Sequence, residues 1–340
     1  MLGELESFKR YYSAGSFQRR DKDGNNALLL ACMHGQADIL EYIITQEGIK
    51  ETDINDTNMT PLMYAVKSKS HRTVDILLQH PQVLSTLNQH DKDGYTAILY
   101  ASSTNDLAML MRLASYIDTE KQLVNDCTGD SILHIAASNH CSTDFIFYLL
   151  DVCQRLDMQR LVHWKNKHGQ TFYHVCSDHS LIKSLLCQGR IDLNYIFKDT
   201  DKLGQCPLMT WAFLGRLDLL ELFVDRMDNQ QIQTADHDGR TILHLLALRL
   251  GKGLTMGEKS LDFIVEQFKH LIHARDWPNG NTALHLAVET AVLANTKNTI
   301  TFIKAVHRHG AQLDVMNSRG EQPVDMSRVS EVTLFLDGIV

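Results

Sequence analysis

Apolar residues along the chain come in paired clusters divided by polar breaks. Ile39, Leu40, Ile43 and Ile44 share one face of a helical wheel, as do Leu219, Leu220, Phe223 and Val224. Ahead of such clusters stands a shorter, more uniformly apolar stretch. Its clearest copies are Asp130-Ser131-Ile132-Leu133-His134-Ile135-Ala136, Arg240-Thr241-Ile242-Leu243-His244-Leu245-Leu246-Ala247 and Asn281-Thr282-Ala283-Leu284-His285-Leu286-Ala287. The short stretch ends near a Gly or polar break, as at His34-Gly35 and Leu214-Gly215. Each opens from a polar cluster of the form Asp-x-x-Gly-x-Thr. The predicted unit is a turn, a short helix, a break and a second, amphipathic helix.

The unit recurs at a nearly fixed period. Its turn marker falls at Gly24, Asn58, Gly94, Gly129, Gly169, Gly204, Gly239, Gly280 and Gly320, at intervals of 34, 36, 35, 40, 35, 35, 41 and 40 residues. A period of this size indicates stacked supersecondary units rather than one globular core. Asp at the start of the turn and Gly three residues on suit a tight reversal, because Gly takes positive φ at no steric cost. Thr or Ser then caps the first helix, and Pro61 and Pro207 sit where a missing N–H does no harm. Each helix pair leaves an apolar face that only its neighbours can cover.

The three copies above and their spacing resemble the ankyrin repeat, whose first helix opens with T-P-L-H-x-A on a 33-residue period. The resemblance covers nearly the whole chain and implies an all-α solenoid of about nine helix-turn-helix units joined by β-turn or hairpin loops. It divides the chain into a cap helix within residues 1–20, repeats starting near 21, 55, 91, 126, 166, 201, 236 and 276, and a degenerate cap over 317–340, forming a single array over 1–340. Some copies depart from the pattern. Asn58 replaces Gly, and Asn also tolerates left-handed geometry. Asn26-Ala27-Leu28-Leu29 lacks Thr, Pro and His. Trp211 and Leu246 occupy the position of the small Ala, where a large side chain should alter local stacking or curvature.

With 340 residues and 44% hydrophobic content, the chain can bury ample apolar surface, yet no stretch is long enough to span a bilayer. No apolar segment of secretory type follows Met1. A net charge of −8 argues against general nucleic-acid binding. The expected setting is cytoplasmic, with nuclear or peripheral endosomal association open. The seven cysteines show no C-x-x-C spacing and are expected to be reduced and mostly buried. In the family the motif His is structural, bonding near the Thr of its own or a neighbouring turn, which implies that role for His134, His174, His244 and His285. His270 and His273 stand three apart on an expected second helix, and His307 and His309 at a helix end. Neither pair has an evident third ligand, and a helix-end His interacting with the dipole is the simpler reading.

Enzyme signatures are missing: no phosphate-binding Gly loop, no G-x-S-x-G elbow and no kinase set. Cys176-Ser177-Asp178-His179 brings a thiol near an imidazole, but Cys176 falls where a small core residue belongs. The reading is therefore a non-catalytic scaffold with no cofactor and no metal. Its expected partners are proteins, and other domains of the same polypeptide. The long, degenerate repeats also resemble ankyrin regions of fungal proteins. Those are trafficking proteins that carry a Rab-exchange domain, and equally cell-cycle transcription factors. Either resemblance implies a regulatory or recruiting module of a larger multidomain protein.

In ankyrin proteins partner contacts come from the turn tips and the exposed ends of first helices. Carried onto this sequence, polar tips such as Lys22, Asp23, Lys167 and His168 contrast with Leu203, His237 and Trp277. Tyr95 also falls on an expected tip. Phe213, Leu214 and Leu248 fall at helix ends. The resemblance places these apolar residues on one concave wall, with Trp277 and Phe213 as anchors of a partner site. The alternative is that they pack under the insertions at 250–259 and 291–298. Gly251-Lys252-Gly253-Leu254-Thr255-Met256-Gly257, within the first insertion, reads as a flexible connector. Residues 4–12 read as a helix like the second half of an earlier unit, and the apolar run from Leu334 to Val340 differs from the polar face a terminal repeat normally shows.

Overall fold

The computed structural model describes residues 2–11, 19–50, 52–226, 235–250, 257–291 and 296–338. Within this set the secondary structure is helical, with one isolated antiparallel bridge between Val124 and Ser131. The chain divides into two compact units, Met1–Lys167 and His168–Val340. Residues 251–256 of the Gly-rich connector, 292–295 of the second insertion, and Ile339 and Val340 lie outside the described residues, as do 12–18 of the expected cap helix.

The first unit opens with helix Leu2–Tyr11 and continues with four pairs of first and second helices. These are Ala27–Met33 with Ala37–Glu47, Pro61–Lys67 with His71–Leu77, Ala97–Ser103 with Leu107–Ala114, and Ile132–Ser138 with Thr143–Arg155. The second unit carries Phe172–Val175 with His179–Cys187, Pro207–Leu214 with Leu217–Phe223, Ile242–Leu250 with Glu258–Gln267, and Ala283–Glu289 with Thr296–Arg308. It ends with the 3-10 turn Pro323–Met326 and helix Ser330–Asp337. First helices pack on first helices and second helices on second helices within each unit. First helices of about two turns are too short to hold alone, so this lateral packing stabilises them. Leu28, Leu62, Leu133, Leu208, Leu243 and Leu284 are all buried along that line.

All nine turn markers have the expected left-handed backbone, from Asn58 at φ 62° to Gly24, Gly94 and Gly204 at 79°. An Asx residue three or four places earlier folds these turns onto its own carboxylate or amide oxygen. Asp201 Oδ1, for example, accepts from the amides of Leu203 and Gln205 at 2.8 and 3.0 Å. Asp236 does the same for Asp238 and Arg240, and Asn317 for Arg319 and Glu321.

The motif histidines tie successive repeats together. The Thr171 amide donates to His174 Nδ1 at 3.0 Å, while Nε2 lies 3.0 Å from the Gln205 carbonyl of the next turn. His244 and His285 repeat the arrangement with Thr241 and Asn281, and with Thr282 and Glu321. An amide only donates and a carbonyl only accepts, so these three rings are neutral with the proton on Nε2. His134 Nδ1 sits 2.8 Å from Ser131 Oγ in the same cap position. Burial holds His244 and His285 below the ordinary histidine value.

The large residue at Trp211 has a local cause. The first helix of its predecessor is only Phe172–Val175, and Cys176 is already extended at ψ 119°. The lost turn leaves volume and free carbonyls. Trp211, fully buried, fills the space, stacks on Phe223 at 5.5 Å and donates its indole N–H to the Cys176 carbonyl at 2.8 Å. Arg216 reaches the Ser177 carbonyl.

Candidate binding surface

Eight of the nine Asx residues that open the turns are buried, Asp21 being the exception, while the two residues after each are exposed. The tips are held in register by backbone bonds between neighbours. In the second unit Lys202 N donates to His168 O, His237 N to Leu203 O, Trp277 N to Asp238 O and Ser318 N to Asn279 O, all at 2.8 to 2.9 Å. The first unit has the same ladder, for instance Lys92 N to Thr57 O at 2.9 Å.

Leu203 is 62% exposed and Trp277 72% exposed, with His237 exposed on the turn between them. The side chains of His237 and Trp277 lean on the backbone of the preceding turn. A Cβ at Gly204 would meet His237 Cδ2 at 2.6 Å, and one at Gly239 would meet Trp277 Cδ1 at 2.6 Å. Only glycine leaves room for these rings. Leu203, His237 and Trp277 therefore form one row on three successive tips. Phe213 and Leu214 end the first helix Pro207–Leu214, Leu248 lies in the last turn of Ile242–Leu250, and all three are half-buried. Those helices pack side by side, so the helix-end residues form a second row.

The period alone did not bring Met316 into view. It is 55% exposed, two residues before Ser318, whose amide bonds the turn of Trp277. An exposed apolar residue just before an Asx was the available signal. Tyr95 corrects an expectation: the exposed tip there is Lys92-Asp93, and the Tyr95 ring turns back to stack on Tyr100 at 5.0 Å. His270 and His273 are also displaced. The second helix ends at Gln267, and both imidazoles stand exposed beyond it, in and after the 3-10 turn Lys269–Leu271. No group of three or more His, Cys, Asp or Glu side chains fit to hold a metal occurs among the described residues. His307 ends its helix as expected, with Nδ1 at 3.2 Å from the Ala311 carbonyl.

Cys32, Cys141, Cys153, Cys176 and Cys206 are buried, and Cys127 and Cys187 are exposed. Burial pushes the Cys176 thiol up to about 11, so beside His179 it is a protonated core residue at neutral pH. No helix among the described residues is long and apolar enough to cross a membrane.

Residues 1–86 match the sequence model of the family described as ankyrin repeats (3 copies). The same turn, cap and helix pair continues in both units to residue 337. Residues 1–86 carry ankyrin repeats. Among curated relatives, it is 26% identical over 234 residues to a putative ankyrin repeat protein, FPV031, of fowlpox virus (strain NVSL), covering 67% of this chain and 63% of that protein. It is 24% identical over 297 residues to the NAD-dependent deacetylase sir2B of Dictyostelium discoideum, covering 81% of this chain and 37% of the relative. A probable serine/threonine-protein kinase of the same organism is 25% identical over 180 residues, 52% of this chain and 20% of its own length. The chain thus spans less than two thirds of each of these relatives. Among solved structures, the ankyrin repeat domain of Bcl-3, a member of the IkappaB protein family, is similar at 18% identity with a TM-score of 0.48, covering 72% of this chain and all of that one.

Proposed function

We propose that this protein is a non-catalytic scaffold that binds a protein partner through the tips and first-helix ends of its second unit. Leu203, His237 and Trp277 make the tip row, with Phe213, Leu214 and Leu248 beside it. The observation that carries this reading is Trp277, an indole 72% exposed yet fixed across Gly239 by a backbone ladder. A large ring held in water on rigid backbone is pre-organised for a pocket on a partner, where such anchors carry much of the binding energy. The half-buried helix ends supply apolar flanks. The reading is tested by capturing partners from lysate, then measuring the affinity of one purified partner by calorimetry. Trp277→Ala should cost about 2 kcal/mol or more, with Phe213→Ala costing less. Unchanged affinity in both folded variants would mean that these side chains serve only packing.

A second reading rests on the lengths of the relatives. In the deacetylase and the kinase the similar region is a minority of the polypeptide. On that reading the array recruits or regulates a larger protein, of which vesicle-trafficking exchange factors and transcription regulators are two kinds. The mass of the native protein in its source cells, against 38.6 kDa for this chain, separates the two.

A further inference from the structure

The exposed tips of the second unit differ from those of the first in charge as well as in polarity. In the first unit the outward positions set Lys22, Lys92 and Lys167 against Asp23, Asp56, Asp93 and Asp126. Along the second unit the exposed apolar residues Leu203, Trp277 and Met316 are interleaved with the exposed cations Lys202, Arg275 and Arg319. Asp238, the exposed acid of this row, is already held by Arg240 at 2.7 Å. The carboxylates of Asp201, Asp236 and Asp276 lie buried beneath, folded onto the turn amides.

Two of the cations are fixed in place. Arg275 donates across the tips to the Met316 carbonyl at 2.9 Å, and Arg319 donates back to Asn279 Oδ1 at 3.0 Å. The two guanidiniums thus brace neighbouring turns from opposite directions, one on each side of Trp277. Each spends an N–H on a neutral oxygen, and Arg319 meets the Glu321 carboxylate only at 3.9 Å. A guanidinium holds five N–H donors in a rigid fork, so both can still take a carboxylate side-on. The whole chain carries a net charge of −8, so the positive row is a local feature rather than a reflection of composition.

We infer that the partner presents to this row an acidic polypeptide segment carrying apolar residues. The inference rests on the tip row being the partner site and adds the chemistry of its occupant. Apolar side chains of the segment cover Leu203, Trp277 and Met316, while its carboxylates reach Lys202, Arg275 and Arg319. Covering the indole excludes water from beside the guanidiniums, which strengthens each charge pair. Charge of one sign along the row also speeds encounter with an acidic chain and rejects a basic one.

The test uses the full chain and three fluorescein-labelled peptides of about twelve residues, which reach about 40 Å when extended. All carry the same Leu and Phe residues, set among Asp and Glu, among Ser, or among Lys. By fluorescence polarisation the acidic peptide should bind saturably and about tenfold more tightly than the Ser peptide, with the Lys peptide weakest. Raising salt from about 50 to 200 mM should narrow that preference. Arg275→Gln with Arg319→Gln should remove most of it and leave the Ser peptide unchanged, whereas Trp277→Ala should weaken both peptides. Lys202→Gln, a change on an exposed side chain, should cut the preference about twofold and decides the matter if the arginine variant lowers the helical circular dichroism. Equal affinity for the acidic and Ser peptides, both weakened by Trp277→Ala, overturns the acidic partner and leaves the row as a docking site. No saturable binding of the acidic peptide, or tighter binding of a single-stranded oligonucleotide at equal salt, also overturns the inference. Acidic binding that neither Trp277→Ala nor the arginine variant alters lies elsewhere and overturns the inference and the reading beneath it together.

Discussion

Replacing Trp211 by the residue that the repeat motif itself favours should damage the fold. The indole is fully buried, stacks on Phe223 and bonds the Cys176 carbonyl, which the shortened first helix Phe172–Val175 leaves without an intrahelical partner. Trp211→Ala removes a core ring at a cost of about 3–5 kcal/mol. It also orphans a buried carbonyl, which costs about 1–3 kcal/mol more if water cannot enter. Trp211→Phe separates the terms: most of the ring remains and only the N–H is lost, so about 2–3 kcal/mol is expected. Repeat arrays do not always unfold in one step, so a single midpoint is a poor readout. Native-state hydrogen exchange with peptide-level mass analysis reads the local opening energy of residues 172–224 directly. The order should be wild type, then Phe, then Ala, with the loss centred on the repeats of Cys176 and Trp211. If Phe and Ala are equal, the N–H bond and the ring are not separable contributions. If both stay within about 0.5 kcal/mol of wild type, the compensation argument is wrong.

Acid should weaken the second unit through its histidines. His244 and His285 lie below 6.5 in the folded state. As pH falls below 6.5 the unfolded chain takes up protons that the folded one refuses, and stability drops until the folded values are passed. The limiting slope is about 1.4 kcal/mol per pH unit for each ring; urea titrations of wild type and His244→Gln should differ in slope across that window and converge above it. Gly239→Ala puts a Cβ 2.6 Å from Trp277 at a φ of +73°, so a loss of about 1–2 kcal/mol and a shift in Trp277 emission are expected, while an unmoved spectrum would contradict the close contact. In native alkylation with mass readout, Cys127 and Cys187 should react first and the five buried thiols only on unfolding; early labelling of Cys176 would refute its place in the core.

The features legible in the sequence are those set within one repeat. An Asx and a residue able to take positive φ are enough to specify a turn, and all nine turns formed where those residues recur, even where Asn26, Cys206 or Gln322 stands in place of the Thr or Ser cap. The cap-to-imidazole bond of His174, His244 and His285 was equally local, and the period supplied its partner in the next turn. What resisted reading depends on a neighbour. Trp211 looks like a defect until the missing helical turn before it is seen. Tyr95 sits on a motif position that points outward, but Tyr100 offers its ring a better surface than water. His270 and His273 were misplaced because the helix before them ends at Gln267 and the apolar pattern does not mark that end. The exposure of Leu203 and Trp277 follows from the register, but what they touch in a complex does not.

The ladder that joins successive tips uses only main-chain atoms, with Asx oxygens folded underneath. The two residues it carries outward from each turn contribute little to their own placement. Substitution at these positions is thus largely uncoupled from folding, and side-chain identity there is free to drift. A lineage can rewrite the outward letters one tip at a time while the frame that displays them stays the same. Glycines such as Gly204 and Gly239 are the exception, because an outward ring lies on them and any new letter there must first find room.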